Sequence, residues 1–235
     1  MIRESKGSLF LCLFYGIIVL IIGHFMIDNL KNKYNALAVF PYGSAVYGNK
    51  KPDDFDFVVV SDKPYFQETF EENGIQYEIS NYSKDEFIQR LKEHEISVLE
   101  CLYIKHDTSY ISPDIQKEFD AFSLNKEKLR ESCSQKSSNS YVKAKKKLIV
   151  DEDFNVSTSL KSLWHSFRIL DFAKQIVVDS KIDPTSMNDL YDDISKSYLI
   201  TQNNWDNLHE KYKPLYNKVA SEFKALCPKP KQLKP

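Results

Sequence analysis

The sequence lacks the spacings that a zinc site or a disulfide framework would need. Its four cysteines, Cys12, Cys101, Cys133 and Cys227, lie far apart and form no CxxC-type pair, so a reduced chain is expected. The five histidines form no HExxH-like pattern, which argues against zinc hydrolysis. Net charge is also nearly absent, at −1, so the whole-chain balance argues neither for nor against a nucleic-acid partner. No internal repeat and no low-complexity tract interrupts the 235 residues, a length that suits one large domain or two small ones.

Charge is present locally. Between Lys126 and Lys147, eight basic residues (Lys126, Lys128, Arg130, Lys136, Lys143, Lys145, Lys146, Lys147) face two acidic ones, Glu127 and Glu131, an excess of six. Such a run reads either as a solvated helix face or as a surface turned toward phosphate.

Leu9 to Ile27, "LFLCLFYGIIVLIIGHFMI", is 19 residues with no formal charge unless His24 is protonated. That length just spans a bilayer core and reads as a membrane anchor. No A-x-A-like site follows it, which fits a cleaved signal peptide poorly. Arg3 and Lys6 precede it and Lys31 and Lys33 follow it, so flanking charge does not decide orientation. A competing reading starts the natural chain at Met26. Either way the rest of the chain is expected on the cytoplasmic side, tethered or soluble.

After this segment the pattern turns to short elements. "DNLKNKYN" reads as a polar helix. "ALAVFPYG", "DDFDFVVV" and "GIQYEIS" read as strands, being short and rich in β-branched and aromatic residues. Ser83 is placed to cap a helix, with Glu86 three residues on and apolar Phe87, Ile88 and Leu91 following. From Pro113 the pattern is helical almost to the end. Leu160, Leu163, Trp164, Phe167, Leu170, Phe172 and Ala173 recur close to a 3.6 period, and "NWDNLHEKYKPLYNKVASEFKAL" is a second long amphipathic stretch, interrupted by Pro214. The expected layout is α+β: a hydrophobic N-terminal segment over 1–30, a small mixed-sheet core over 31–124, an all-helical half over 125–228, and a Pro- and Lys-rich tail over 229–235.

Asp54 and Asp56 are the anomaly in this layout. Strand side chains alternate faces, so the two carboxylates point the same way while Phe55, Phe57 and Val59 take the other face. Two like charges side by side disfavour each other's ionised form. A cation on a neighbouring strand would offset this, and so would a divalent metal, which prefers hard oxygen ligands. Two metal ions about 3.5–4 Å apart could clamp the attacking and leaving oxygens of a phosphoryl displacement. Glu78 is an acid in mid-strand, on the face opposite Ile75, Tyr77 and Ile79. A strand beside Asp54 and Asp56 would place it next to them. A solvent-facing glutamate is the plainer alternative. Gly43-Ser44 ends the first apolar run. A glycine there lets backbone approach a ligand, and the following amides with the Ser44 hydroxyl can bind a phosphate oxygen.

Taken in order, Tyr42-Gly43-Ser44, nine residues, Asp54-Phe55-Asp56-Phe57 and then Tyr77-Glu78-Ile79 resemble the signature of the DNA polymerase β-like nucleotidyltransferase superfamily. "YGSAVYG" followed by "DDFDFVVV" is similar to predicted nucleotidyltransferases of bacteria and their phages, as are "ISVLECLYIKHD" and the helical stretches "KSLWHSFRIL" and "NWDNLHEKY". The resemblance runs from about Asn35 to the C-terminus. It implies Mg²⁺ (or Mn²⁺) on Asp54, Asp56 and Glu78, with Glu78 also serving as base toward an acceptor hydroxyl. It implies a triphosphate held by Gly43 and Ser44, and in-line attack on the α-phosphate of an NTP with release of pyrophosphate. ATP is the first nucleotide expected. The acceptor, whether a protein, a small molecule or RNA, is left open. A non-catalytic nucleotide- or partner-binding module of the same fold is the alternative. The motif departs from the family in Lys50 and Lys51 before the strand, and in Asp53-Asp54 where Ser-Asp is commoner. Alternation with Asp56 selects Asp54.

In the helical half, Lys161, His165 and Arg168 fall three or four residues apart on one helix side, where they could meet phosphate or acceptor. An exposed polar stripe is the equal alternative. Tyr141 and Lys145 share a face, which makes Lys145 a secondary triphosphate candidate. Trp164 and Phe167 read as core.

Overall fold

The computed structural model describes residues 25–48, 54–105, 109–200 and 204–229. The apolar stretch 9–27 therefore lies outside the described residues up to residue 24, as do Lys50, Lys51 and Asp53. No helix among the described residues is long and apolar enough to cross a membrane. The chain divides into two compact units, one holding residues up to Ile88 together with His106–Ala121, the other holding Gln89–Lys105 together with Phe122 onward.

The first unit is built on a mixed five-stranded sheet. Its strands are β1 (Ala38–Tyr42), β2 (Asp54–Ser61), β3 (Phe66–Glu72), β4 (Ile75–Ser83) and β5 (Tyr110–Ile111), in the spatial order β3-β4-β2-β1-β5. β2 runs parallel to β4, and every other neighbouring pair is antiparallel. Helix α1 (25–34) precedes the sheet, and the one-turn helix α2 (Gly43–Val46) follows β1 directly. α3 (Lys84–Lys92) continues from β4, and α5 (Pro113–Ala121) follows β5.

Alternation along β2 sorts the core into two layers. On one face Phe55, Phe57 and Val59 join Val39, Tyr77 and Ile79, and α1 covers them with Met26, Ile27, Leu30 and Tyr34. On the other face Val58 pairs with Phe40, whose ring stacks on Phe87 of α3 at 6.0 Å and meets Phe119 of α5 at 6.0 Å. Asp54 and Asp56 share this second face with Val58 and Val60. Burial falls along it, from 0% exposure at Val60 and 4% at Val58 to partly exposed carboxylates at the strand's start. One strand thus supplies core at one end and an acidic ledge at the other.

β3 went unread from the sequence, which places only three strands in this region. The segment "FQETFEE" is half-exposed and acidic, as suits an edge strand. It pairs with β4 through a two-residue turn in which Asn73 and Gly74 both have positive φ, 55° and 76°. Asn-Gly is the residue pair that such a turn demands. The hairpin carries the chain past the edge and back, so that β4 returns parallel to β2. At the end of β4 the Ser83 hydroxyl accepts the Glu86 amide at 3.2 Å, which is the cap expected from the sequence. The apolar residues it announces, Phe87 and Leu91, are buried.

The second unit is helical: α4 (Ile96–Tyr103), α6 (Lys126–Ile149), α7 (Val156–Asp179), α8 (Asn188–Ile200) and α9 (Trp205–Leu226). Asn125, Asn155 and Asn204 cap α6, α7 and α9, each side-chain oxygen accepting from the first-turn amides. α6 and α7 pack as an antiparallel pair joined through a 3₁₀ turn, Asp151–Asp153. Small buried serines hold the two helices close. Ser137 donates to the Ser166 carbonyl and Ser159 to the Ala144 carbonyl, both at 2.7 Å. Leu160, Leu163, Phe167, Leu170, Phe172 and Ala173 are buried along α7, as their spacing predicts, while Trp164 is only partly so. α9 runs on through Pro214, which removes one backbone donor without ending the helix. Cys101, Cys133 and Cys227 are buried free thiols.

Candidate metal centre

β2 and β4 are in register with Asp56 opposite Glu78, and β1 on the other side sets Tyr42 opposite Asp56. Asp54 precedes Asp56 by two residues and so shares its face. These pairings bring three carboxylates together: one oxygen each from Asp54, Asp56 and Glu78 lie within 4.8 Å of one another. Asp54 and Asp56 are partly buried, and Glu78 is exposed. Adjacent carboxylates this close repel one another. Hard oxygen donors in such a group are what a divalent cation of the Mg²⁺ or Ca²⁺ type takes. The triad can hold a metal ion.

The glycine of the motif is fixed by the acid. Gly43 begins α2 with φ at +71°, a region that side chains seldom adopt. A Cβ placed on it would lie 1.6 Å from Oδ2 and 2.5 Å from Cγ of Asp56. The bare backbone of residue 43 therefore packs against the carboxylate. Ser44, one residue on, donates its hydroxyl to Oδ1 of Asp54 at 3.3 Å. Glu78 is also engaged, since the Gln76 amide donates to its Oε1 at 3.3 Å. Gln76 is a residue that sequence reasoning passed over, although it lies two residues from Glu78 on the same strand face.

Gly43, Ser44, Asp54, Asp56 and Glu78 thus converge within the first unit. Lys145, Lys161, His165 and Arg168 belong to the second. Lys145 is exposed on α6, whereas its expected face-mate Tyr141 is buried among Trp205, His209 and Tyr216. Lys161 is exposed on α7. Arg168 is buried, at 3% exposure, with its guanidinium 4.8 Å from the Trp164 ring centroid and 5.4 Å from that of Phe172. It donates to Nδ1 of His165 at 2.9 Å. Because an arginine can only donate, that nitrogen is the acceptor and the imidazole is neutral, with its proton on Nε2. Burial, reinforced by the charges of Arg168, Lys136 and Lys143, pushes the His165 ring well below the usual imidazole range.

No family model matches the chain, and no curated protein matches it. Among solved structures, one described as a nucleotidyltransferase-like protein from Exiguobacterium sibiricum 255-15 is similar at 8% identity, over 85% of this chain and 72% of that one, with a TM-score of 0.32. A likeness that loose carries no argument about activity, and the reading of the site rests on its own residues.

Proposed function

We propose that the protein is a metal-dependent nucleotidyltransferase that moves a nucleoside monophosphate from an NTP to an acceptor hydroxyl and releases pyrophosphate. The observation that carries this reading is the convergence of Asp54, Asp56 and Glu78 beside a glycine turn whose backbone lies against Asp56. Three carboxylates on a plain surface would need no such glycine. On this reading Asp54 and Asp56 hold Mg²⁺ or Mn²⁺, with Glu78 completing the set. The bound ion would supply Lewis-acid stabilisation of charge on the reacting phosphate. Glu78, the most exposed of the three, would take the acceptor's proton. Ser44 orients Asp54 through its hydroxyl, and the amides that open α2 would bind the triphosphate. Little covalent chemistry is asked of the protein, whose part is to position the reactants. The domain assignment belongs to the same reading: a catalytic core over 31–124 and a helical domain over 125–228.

The test is to incubate the full chain with each α-³²P-labelled NTP, Mg²⁺ or Mn²⁺, and total RNA or total cell protein as acceptor. Label in one pool, lost with Asp54→Asn/Asp56→Asn, is the expected result. Label that survives in the double variant would overturn the assignment. NTP binding with no transfer to any acceptor pool would favour a binding module of the same fold.

A further inference from the structure

We infer that Gln76 is a positioning residue of the metal centre, which holds Glu78 through one carboxylate oxygen and leaves the other for the ion. This role rests on the metal-binding reading of the triad given above. Alternation along β4 puts Gln76, Glu78 and Ser80 on one face. Strand register then borders Gln76 with acids. Asp54 of β2 lies opposite it on one side, Glu71 of β3 lies opposite it on the other, and Glu78 follows two residues along. The Gln76 amide nitrogen donates to Oε1 of Glu78 at 3.3 Å. A glutamine can make that donation without bringing charge of its own into the acidic row.

Each acid of the triad has a neighbour that limits where its oxygens can go. Asp54 accepts the Ser44 hydroxyl, and Asp56 packs against the backbone of Gly43. Both restraints come from the glycine turn, and both act on short, partly buried side chains. Glu78 is one methylene longer and exposed, so an ion bound there must also order its side chain. Residues two apart on a strand are separated by about 6.6–6.8 Å along its length. The bond therefore forms only when the Glu78 and Gln76 side chains lean together along β4. That lean carries the Glu78 carboxylate from its place opposite Asp56 toward the level of Asp54, which is the level of Gln76. The bond is exposed and long, so it adds little to the fold. Its effect falls on the order of one side chain.

Mn²⁺ binding to the full chain, measured by calorimetry without nucleotide, tests this. Gln76→Ala is expected to weaken binding about three- to tenfold, the low end for a residue that orients a metal ligand, and to leave the melting midpoint in EDTA unchanged. Gln67→Ala is the control. Gln67 is an exposed amide on the same sheet face, bonded to Ser80 at 3.4 Å, and its loss should leave Mn²⁺ affinity unchanged. In a Glu78→Ala background, Gln76→Ala should have no further effect, because the carboxylate it holds is gone. In the transfer assay, Gln76→Ala should lower kcat and leave KM for the NTP unchanged, since the triphosphate is held at α2. Equal Mn²⁺ affinity in the unaltered chain and Gln76→Ala, an equal loss in the Glu78→Ala background, or a raised KM at unchanged kcat would overturn the role of Gln76. A chain that binds Mn²⁺ but transfers no label loses the transferase reading alone, and the calorimetric comparison then decides the role of Gln76. An unaltered chain that binds no Mn²⁺ would overturn the metal centre and the role of Gln76 with it.

Discussion

Gly43 and Asp56 occupy one space: the volume where a side chain on residue 43 would sit is filled by the carboxylate, 1.6 Å from the ideal Cβ position. Gly43→Ala therefore has two costs. The left-handed backbone penalises any side chain by about 1–2 kcal/mol, and the methyl group displaces Asp56. We expect a protein that folds with a modest drop in thermal midpoint but loses metal binding and turnover. Calorimetric titration with Mn²⁺, beside a melting curve, checks this. Unaltered Mn²⁺ affinity would show that Asp56 is not held by the glycine.

Asp56→Asn tests the triad from the other side. Removing one of three mutually repelling carboxylates relieves strain in the metal-free protein, so its melting temperature should hold or rise. Transfer should fall by about a hundredfold or more, since a lost ligand removes several kcal/mol of charge stabilisation. A fall in stability large enough to explain the lost activity would point to a structural role instead.

His94 offers a pH dependence with a definite sign. It is buried, sits in the left-handed region at φ 60°, and uses both ring nitrogens. Nε2 accepts the Asn125 amide at 2.8 Å, and Nδ1 lies 3.1 Å from the Lys92 carbonyl. Asn125 is the cap of α6, so the ring anchors that helix's start. Burial lowers the ring's protonation midpoint, and the nearby Lys128 adds to the effect. A depressed midpoint means that the neutral ring stabilises the fold. The contribution is complete above the unfolded value near 6.5 and is lost as pH falls through the folded one. His94→Asn tolerates the same backbone and removes the titration. Urea unfolding at pH 7.5 and pH 5 should show the unaltered chain losing about 1 kcal/mol more than the variant, roughly the worth of one hydrogen bond. Identical losses in both proteins would remove His94 from the account.

Phe87 is the aromatic on which the second face of the sheet closes, touching Phe40, Tyr82 and Phe119. Phe87→Ala should cost about 3–5 kcal/mol by opening a cavity beneath β1 and β2. Chemical denaturation gives the number, and a loss below about 1 kcal/mol would mean that the layer is not packed as described.

Much of the candidate centre could be read in the sequence because its logic is local. Two acids one residue apart in an apolar strand can only share a face, and burial of Phe55 and Phe57 fixes which face that is. Glu78 needed one further fact, that its strand lies beside β2, and alternation alone could not give it. What escaped was β3, whose apolar residues are diluted by acids as befits an edge, although Asn73-Gly74 marked its turn. The steric bond between Gly43 and Asp56 also escaped, because it joins residues thirteen apart through a contact that no pattern records. In the helical half, spacing grouped Lys161 with His165 and Arg168, but spacing cannot show that Arg168 is buried against Trp164 and Phe172 and bonded to His165 while Lys161 is exposed.

The parallel register of β2 and β4 makes the two halves of the triad unequal toward insertions and deletions. Asp54 and Asp56 move together under any length change upstream of β2, so the pair survives or fails as one. Glu78 is separated from them by a hairpin whose loops can gain or lose residues, provided that β4 re-enters at the same step. A single residue added between Ile75 and Glu78 would instead turn the glutamate to the buried face, where Tyr77 and Ile79 now sit. A length change at 62–65 or 73–74 therefore leaves the triad intact so long as β4 keeps its register against β2, whereas one among the three residues before Glu78 does not.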